Sequence, residues 1–289
     1  MSNSQNLFCK EYDTTGHVDT YLIKDEVNLH YRKGKSKLIH VFVPDTYQKN
    51  VPHGVLYFFD AQNLFSNAGH YTDKNDPYGG WRLDVALTAV WKQRGKNILV
   101  VGIENADEYR ELELFMEPKR FGKLSPLATT IEEEVFKEGY LDELSDFIKE
   151  TLHPAMMEKY NIEQQNIGIG GSSMGGIASF YCALKELGFY RYVLSYSPAF
   201  GLYEMEAFET FFDKMDFASH IEELPKIHIY CGGADPLEEQ LLTAARKMKE
   251  TMVRYGYDNE KILETFDPTK VHNEEAWREI LEESFSFLL

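Results

Sequence analysis

One stretch constrains the fold more than any other: Ile167-Gly-Ile-Gly-Gly-Ser-Ser-Met-Gly-Gly-Ile-Ala178. Apolar β-formers run into a cluster of glycines and serines, then into small residues that suit a helix packed closely on a sheet. Within it, Gly171-Ser172-Ser173-Met174-Gly175 is a G-x-S-x-G, and only this register fits, so Ser173 is the central serine. A chain that passes from strand to helix in so few residues turns sharply. Side chains two positions from the apex would clash, and the apex residue is held in a strained conformation with its hydroxyl exposed. A phosphate-binding reading fails, because the P-loop lysine is missing and Gly168-x-Gly170-x-x ends on Ser173 rather than on glycine.

The remaining chain supplies the strand and helix alternation that such a turn belongs to. β-rich apolar runs fall at 38–43, 55–59, 98–103, 167–170, 192–195, 227–231 and 262–266. Several are almost wholly apolar, as strands covered on both faces are. Helical periodicity lies between them. Leu141, Leu144, Phe147, Ile148 and Leu152 share one face, as do Leu237, Leu241, Leu242, Ala245, Met248, Met252 and Val253 in a helix expected to stop at Gly256. A last helix carries Trp277, Ile280, Leu281, Phe285 and Leu288, with Asn273 as its cap.

This order predicts one α/β domain over 1–289, with a mostly parallel central sheet and helices on both faces. The N-terminal part, 1–34, is expected to supply edge strands, in an antiparallel pattern that runs over about 18–43. Two long charged and aromatic segments, 104–130 and 200–221, fit neither pattern. They are expected as lid or cap insertions over the carboxyl ends of the strands, where such sheets bind ligands.

Acids outnumber bases by 47 to 30, a net charge of −17. That field repels phosphate backbones and anionic membranes, so neither nucleic acid nor membrane is expected as a partner. No apolar run approaches the ~18 residues of a membrane span. The first ten residues lack a basic segment followed by an apolar core. The three cysteines, Cys9, Cys182 and Cys231, form no close-spaced pair. Both features predict a cytoplasmic protein with reduced, buried thiols. A homo-oligomer is compatible with the sequence.

A serine hydroxyl is a useful nucleophile only when a base removes its proton as it attacks. In the α/β-hydrolase arrangement of a G-x-S-x-G serine, the acid and then the histidine follow it along the chain. Of nine histidines, only His272 lies late, between the last strand and the last helix. His220 and His228 precede the best acid, and His228 sits inside a strand. That acid is Asp235, beyond the strand end in Ile227-His-Ile-Tyr-Cys-Gly-Gly-Ala-Asp-Pro236. The competing reading makes Asp235 the N-cap of the following helix. Glu264 and Asp267 are weaker alternatives. A tetrahedral oxyanion needs two amide donors. Met174, next to Ser173, supplies one, and Gln62, in the loop after Val55-Leu-Tyr-Phe-Phe-Asp60, is chosen for the other.

At these residues the chain resembles a known family. Gly170-Gly-Ser-Ser-Met-Gly-Gly176, Phe59-Asp-Ala-Gln-Asn-Leu-Phe65, Cys231-Gly-Gly-Ala-Asp235 and His272 with Trp277 are similar to the putative esterase (esterase D-like) family of α/β-hydrolases. That family includes enterochelin, feruloyl and acetyl-xylan esterases, S-formylglutathione hydrolases and mycolyltransferases. Val101-Gly-Ile-Glu-Asn105 followed by Arg110-Glu-Leu112 is similar to another of its segments, and the resemblance spans about 35–289. It implies the α/β-hydrolase fold, a triad of Ser173, Asp235 and His272, and an oxyanion hole from the amides of Gln62 and Met174. Two positions depart from its pattern: Ala61 stands where glycine is common, and Lys270-Val271 stands where the approach to the histidine is commonly Gly-rich.

The expected function is a serine esterase acting on small-molecule esters, of acylated-sugar, feruloyl or siderophore type, with no cofactor. An acyltransferase or thioesterase using the same triad, or a binding protein on a hydrolase scaffold, are the rival readings. Tyr71, Tyr78, Trp81, Tyr109, Phe115 and Phe121 are candidates for an aromatic cleft, and Trp81, Tyr109 and Arg110 for contact with substrate. Asp73-Lys-Asn-Asp-Pro-Tyr-Gly79 departs from calcium-loop spacing and reads as a polar turn. No zinc signature is present, and no metal is expected.

Overall fold

Successive residues of a strand point to opposite faces of its sheet, and the central strands here bury both. In a computed structural model that describes residues 16–66, 79–95, 98–128 and 138–288, Val55, Tyr57 and Phe59 enter one apolar cluster while Leu56 and Phe58 enter another. All five belong to β3 (His53–Phe59), which explains a run without polar alternation. Cys9, Tyr71, Tyr78, positions 73–78 of the acidic turn and positions 129–130 of the first long segment lie outside the described residues.

The other strands are β1 (Gly16–Lys24), β2 (Ser36–Pro44), β4 (Ile98–Ile103), β5 (Ile162–Ser172), β6 (Tyr192–Tyr196), β7 (Lys226–Cys231) and β8 (Ile262–Phe266). They form one sheet in the order β1-β2-β4-β3-β5-β6-β7-β8. β1 and β2 run antiparallel at one edge, β2 pairs antiparallel with β4, and the rest are parallel. The seven predicted strands are all present, several of them longer than their apolar cores. β5 is glycine-rich inside the sheet because its neighbours are large. A Cβ on Gly168 would lie 2.2 Å from the Tyr192 ring, and one on Gly170 2.6 Å from that of Phe58.

Ten α-helices flank the sheet among the described residues: α1 (Leu83–Arg94), α2 (Arg110–Glu113), α3 (Pro118–Phe121), α4 (Leu141–Asp146), α5 (His153–Lys159), α6 (Met174–Lys185), α7 (Met205–Met215), α8 (Pro236–Arg254), α9 (Glu274–Glu279) and α10 (Leu281–Leu288). α1, α9 and α10 cover one face through Leu83, Leu87, Val90, Trp277, Leu281 and Phe285. α4, α6, α7 and α8 cover the other. The α/β-hydrolase layering expected from the alternation is therefore the observed one. None of the described helices is long and apolar enough to cross a membrane.

Three expectations need correction. The last helix is two, α9 and α10, divided at Ile280. Leu237 and Val253 lie 45% and 41% exposed, on the flanks of the stripe that Leu241, Leu242, Ala245, Met248 and Met252 bury. The 104–130 and 200–221 segments pack on each other. Leu124 bridges to Tyr203, and the Phe121 ring meets those of Tyr203 and Phe208 edge-on at 4.9 and 5.0 Å. Phe115 and Phe121 are thus core residues of this layer, and neither lines the cavity that holds Ser173 and His272. Cys182 and Cys231 are buried and unpaired.

His228 ties the last helix to the sheet. Its Nδ1 lies 2.7 Å from the Ser284 hydroxyl and its Nε2 3.0 Å from that of Thr265. Burial pushes its pKa down from 6.5 to about 3. The fold holds the neutral ring, so only the unfolded chain takes up the proton as pH falls through 6.5. Between those two pH values, wild type is expected to lose about 1.4 kcal/mol of stability per pH unit more than His228→Gln. Urea titrations of both proteins across this range measure the difference, and parallel curves would contradict it.

Candidate active site

Ser173 sits between the end of β5 and the start of α6 with φ 55° and ψ −118°. This backbone conformation is costly for any residue with a Cβ, by about 1–3 kcal/mol. Four hydrogen bonds hold it there. Its N–H donates to the Tyr196 carbonyl at 2.9 Å, and its own carbonyl accepts from the N–H groups of Gly176, Ile177 and Ala199. The flanking glycines are demanded by space. A Cβ on Gly171 would lie 2.6 Å from the Gly175 carbonyl oxygen, and one on Gly176 2.8 Å from that of Tyr196. The sharp turn read from the G-x-S-x-G pattern is the one the backbone makes.

His272 lies in the loop between β8 and α9. Two of its atoms are anchored by two different carboxylates. Its backbone N–H donates to Asp235 Oδ2 at 2.9 Å, and its Nδ1 lies 2.7 Å from Glu238 Oε1. The ring stands edge-on to Trp277 at 5.0 Å. Glu238 is fully buried, and its second oxygen accepts from the Gly232 N–H at 2.8 Å. A carboxylate at Nδ1 places the proton on that nitrogen and leaves Nε2 as the basic one.

The carboxylate at the imidazole is therefore one helical turn beyond Asp235, the acid expected from sequence, which meets the His272 backbone instead. Asp235 caps α8: its Oδ1 accepts from the N–H groups of Leu237 and Glu238, both at 2.9 Å. Its other oxygen is taken by the His272 backbone. Burial opposes its charge, but the backbone donors Glu238, His272 and Leu237 outweigh that and hold its carboxyl below the usual range. The partner of the imidazole is Glu238, which sequence reasoning missed. A signal was there. Glu238 lies on the same face of α8 as Leu241, Leu242 and Ala245, and a carboxylate on a buried stripe needs a partner.

Ser173 and His272 line one cavity of about 510 Å3, together with Asp60, Gln62, Asn63, Trp81, Asn105, Asp107, Arg110, Ser172, Glu274 and Trp277. Met174 is the first residue of α6, where amides have no acceptor within the helix. Gln62 lies in the single 3-10 turn Ala61–Asn63 after β3, and its side-chain oxygen accepts from the Asn105 N–H at 3.3 Å. Of the substrate candidates, Trp81 and Arg110 line the cavity. Trp81 is stacked on Trp277 at 5.2 Å and on Tyr196 at 5.3 Å. Tyr109 is 39% exposed and is not among the residues that line it. From the two inserted segments, the described cavity walls include Asn105, Asp107 and Arg110 and no residue of 200–221.

An eight-stranded, mostly parallel sheet with a serine on a strained strand-to-helix turn defines an α/β-hydrolase. Residues 33–288 match the putative esterase family, and the chain belongs to it; it is a carboxylic ester hydrolase. No curated protein matches the sequence. Similar folds include the BES protein from Bacillus cereus (15% identity, TM-score 0.67, 96% of this chain on 97% of that one). They also include the siderophore hydrolase EstA from Aspergillus nidulans (15%, 0.69, 94% on 93%). A third is a mutant feruloyl esterase module from Clostridium thermocellum complexed with sinapinate (12%, 0.62, 97% on 90%).

The strain at Ser173 gives a stability signature. Ser173→Gly relieves a cost of about 1–3 kcal/mol and adds about 0.5–1 kcal/mol of chain entropy. It is expected to be more stable than Ser173→Ala by about 1 kcal/mol, read as denaturant midpoints at equal slope. Equal stability of the two variants would mean the turn is relaxed.

Proposed function

We propose that the protein hydrolyses small-molecule carboxylic esters through Ser173, His272 and Glu238. Ser173 attacks the ester carbonyl while His272 Nε2 takes its proton. Glu238 keeps the ring in the tautomer that leaves Nε2 basic and stabilises the imidazolium as it forms. The N–H groups of Met174 and Gln62 receive the oxygen that gains charge, an electrostatic contribution of about 2.7–4 kcal/mol per donor. His272 returns the proton to the leaving alcohol. Water then enters by the same route and releases the acyl group from Ser173. Asp235 serves the site through the backbone, by fixing the start of α8 and the position of His272.

The observation that carries this reading is the 2.7 Å contact between His272 Nδ1 and a fully buried Glu238 carboxylate. It stands at the cavity that also holds the strained serine. The substrate class is proposed from the names of similar proteins, a siderophore hydrolase and a feruloyl esterase module. Esters of aromatic acids and of siderophores are the first to try, followed by acylated sugars. The cavity volume suits such molecules.

Ser173→Ala is expected to abolish turnover of a short p-nitrophenyl ester with the fold intact. Glu238→Gln should lower kcat by about 10³–10⁴-fold, since an amide at Nδ1 favours the wrong tautomer. Asp235→Asn should retain activity within about tenfold, and its stability should stay within about 1 kcal/mol of wild type because asparagine caps a helix about as well as aspartate. Steady-state kinetics with thermal melts of the three variants test the assignment. The reverse ranking of Glu238 and Asp235 would return the acid to Asp235.

A further inference from the structure

We infer that Asp60, clamped by Arg110 and Asn105, is the positioning residue of the oxyanion hole, and that Arg110 cancels a negative charge that would oppose the developing oxyanion. This rests on the esterase reading above and names the device that makes its two amides act together.

Asp60 joins β3 to the turn that carries Gln62, and it does so with φ 58° and ψ 52°, a left-handed conformation rare for a residue with a Cβ. Its carboxylate is held by three donors. Arg110 engages it as a fork, Nε to Oδ1 at 2.6 Å and Nη2 to Oδ2 at 2.8 Å, and Asn105 Nδ2 adds a contact to Oδ1 at 2.9 Å. Asn105 closes the circuit, because its N–H donates to the Gln62 side chain and its carbonyl is held by Arg32 Nη1 at 3.2 Å. The loops after the neighbouring parallel strands β3 and β4 are thereby locked to each other.

The same carboxylate stands beside the first turn of α6. A Cβ on Gly175 would lie 3.3 Å from Asp60 Oδ2. Met174, the other proposed donor, is the residue before Gly175. A single carboxylate is thus shared between the loop of one amide and the helix start of the other. That proximity has two electrostatic consequences. A negative group is favourable beside the amino end of the twelve-residue α6. An uncancelled one would raise the energy of an oxyanion held by the same helix end. The bidentate guanidinium removes that repulsion while preserving the geometry. Because the oxyanion exists in the transition state and not in the bound ester, the effect falls on kcat and not on KM.

The test compares Arg110→Met, Asp60→Asn, their double variant and Arg110→Lys with wild type. The readouts are kcat and KM for a p-nitrophenyl ester, inhibition by an alkyl boronic acid, whose tetrahedral adduct uses the same amides, and the melting temperature. Arg110→Met is expected to lower kcat about 100-fold with KM within about threefold, and to weaken boronic acid binding in proportion. Removing the carboxylate as well should recover at least about tenfold of that loss, and Arg110→Lys should fall between. The proposal is overturned if Arg110→Met keeps kcat within about threefold, if the loss is in KM alone, or if the double variant is no better than Arg110→Met. Should Arg110→Met not fold, folded Asp60→Asn and Arg110→Lys with wild-type kcat overturn it equally. Ser173→Ala run alongside separates the two levels. Wild-type turnover that does not depend on Ser173 sinks the esterase reading with the clamp, whereas Ser173-dependent turnover indifferent to Asp60 and Arg110 sinks the clamp alone.

Discussion

The turn at Ser173 is a backbone state that no side chain favours, and the centre of the molecule is arranged to enforce it. The serine N–H is held by β6, and its carbonyl by the first turn of α6 and by Ala199. Glycine stands wherever a Cβ would meet the backbone of the turn. What results is a hydroxyl at the carboxyl end of a central parallel strand, next to the amino end of a helix. Strain of this kind persists only where the surroundings over-determine it. Here two buried clusters on opposite faces of the sheet provide that rigidity.

The same economy of placement governs the carboxylates. Asp235 and Glu238 stand one turn apart at the start of α8, and each takes a different part of His272. The short side chain serves the backbone, where a cap must sit close. The longer one, on the inward face, reaches the ring. Buried charge elsewhere is also paired. Lys37, fully buried, donates to the Glu104 carbonyl at 2.7 Å and is ion-paired with Glu113, and His40 Nε2 lies 2.8 Å from Glu104 Oε1. A lone charge in these positions would be strongly destabilising, so such pairs specify position more than they add stability. Their position is the loop after β4, which carries Asn105 and Arg110 to the cavity.

Loop placement also explains why one wall of the cavity was harder to foresee. The segment 104–130 reads as one insertion, yet its residues divide. Asn105, Asp107 and Arg110 face the cavity, while Phe115 and Phe121 join the core beneath α7. Hydrophobicity alone does not separate an aromatic cleft from an aromatic core, because both bury rings. The separation comes from the bridge between Leu124 and Tyr203, a contact across 79 positions of the chain.

The sequence by itself determined the strands, their covered faces, the sharp strand-to-helix turn at Ser173 and the late position of His272. Those are local properties: apolar runs, helical period, the glycines of a sharp turn, and an order along the chain. Even the cap at Asn273 and the stop near Gly256 were legible, since capping is decided within a few residues. Only the tertiary structure decided which carboxylate turns to the imidazole and which caps the helix. That choice depends on how α8 is rotated against β7 and on the reach of one additional methylene, and neither is written in the spacing between Asp235 and His272.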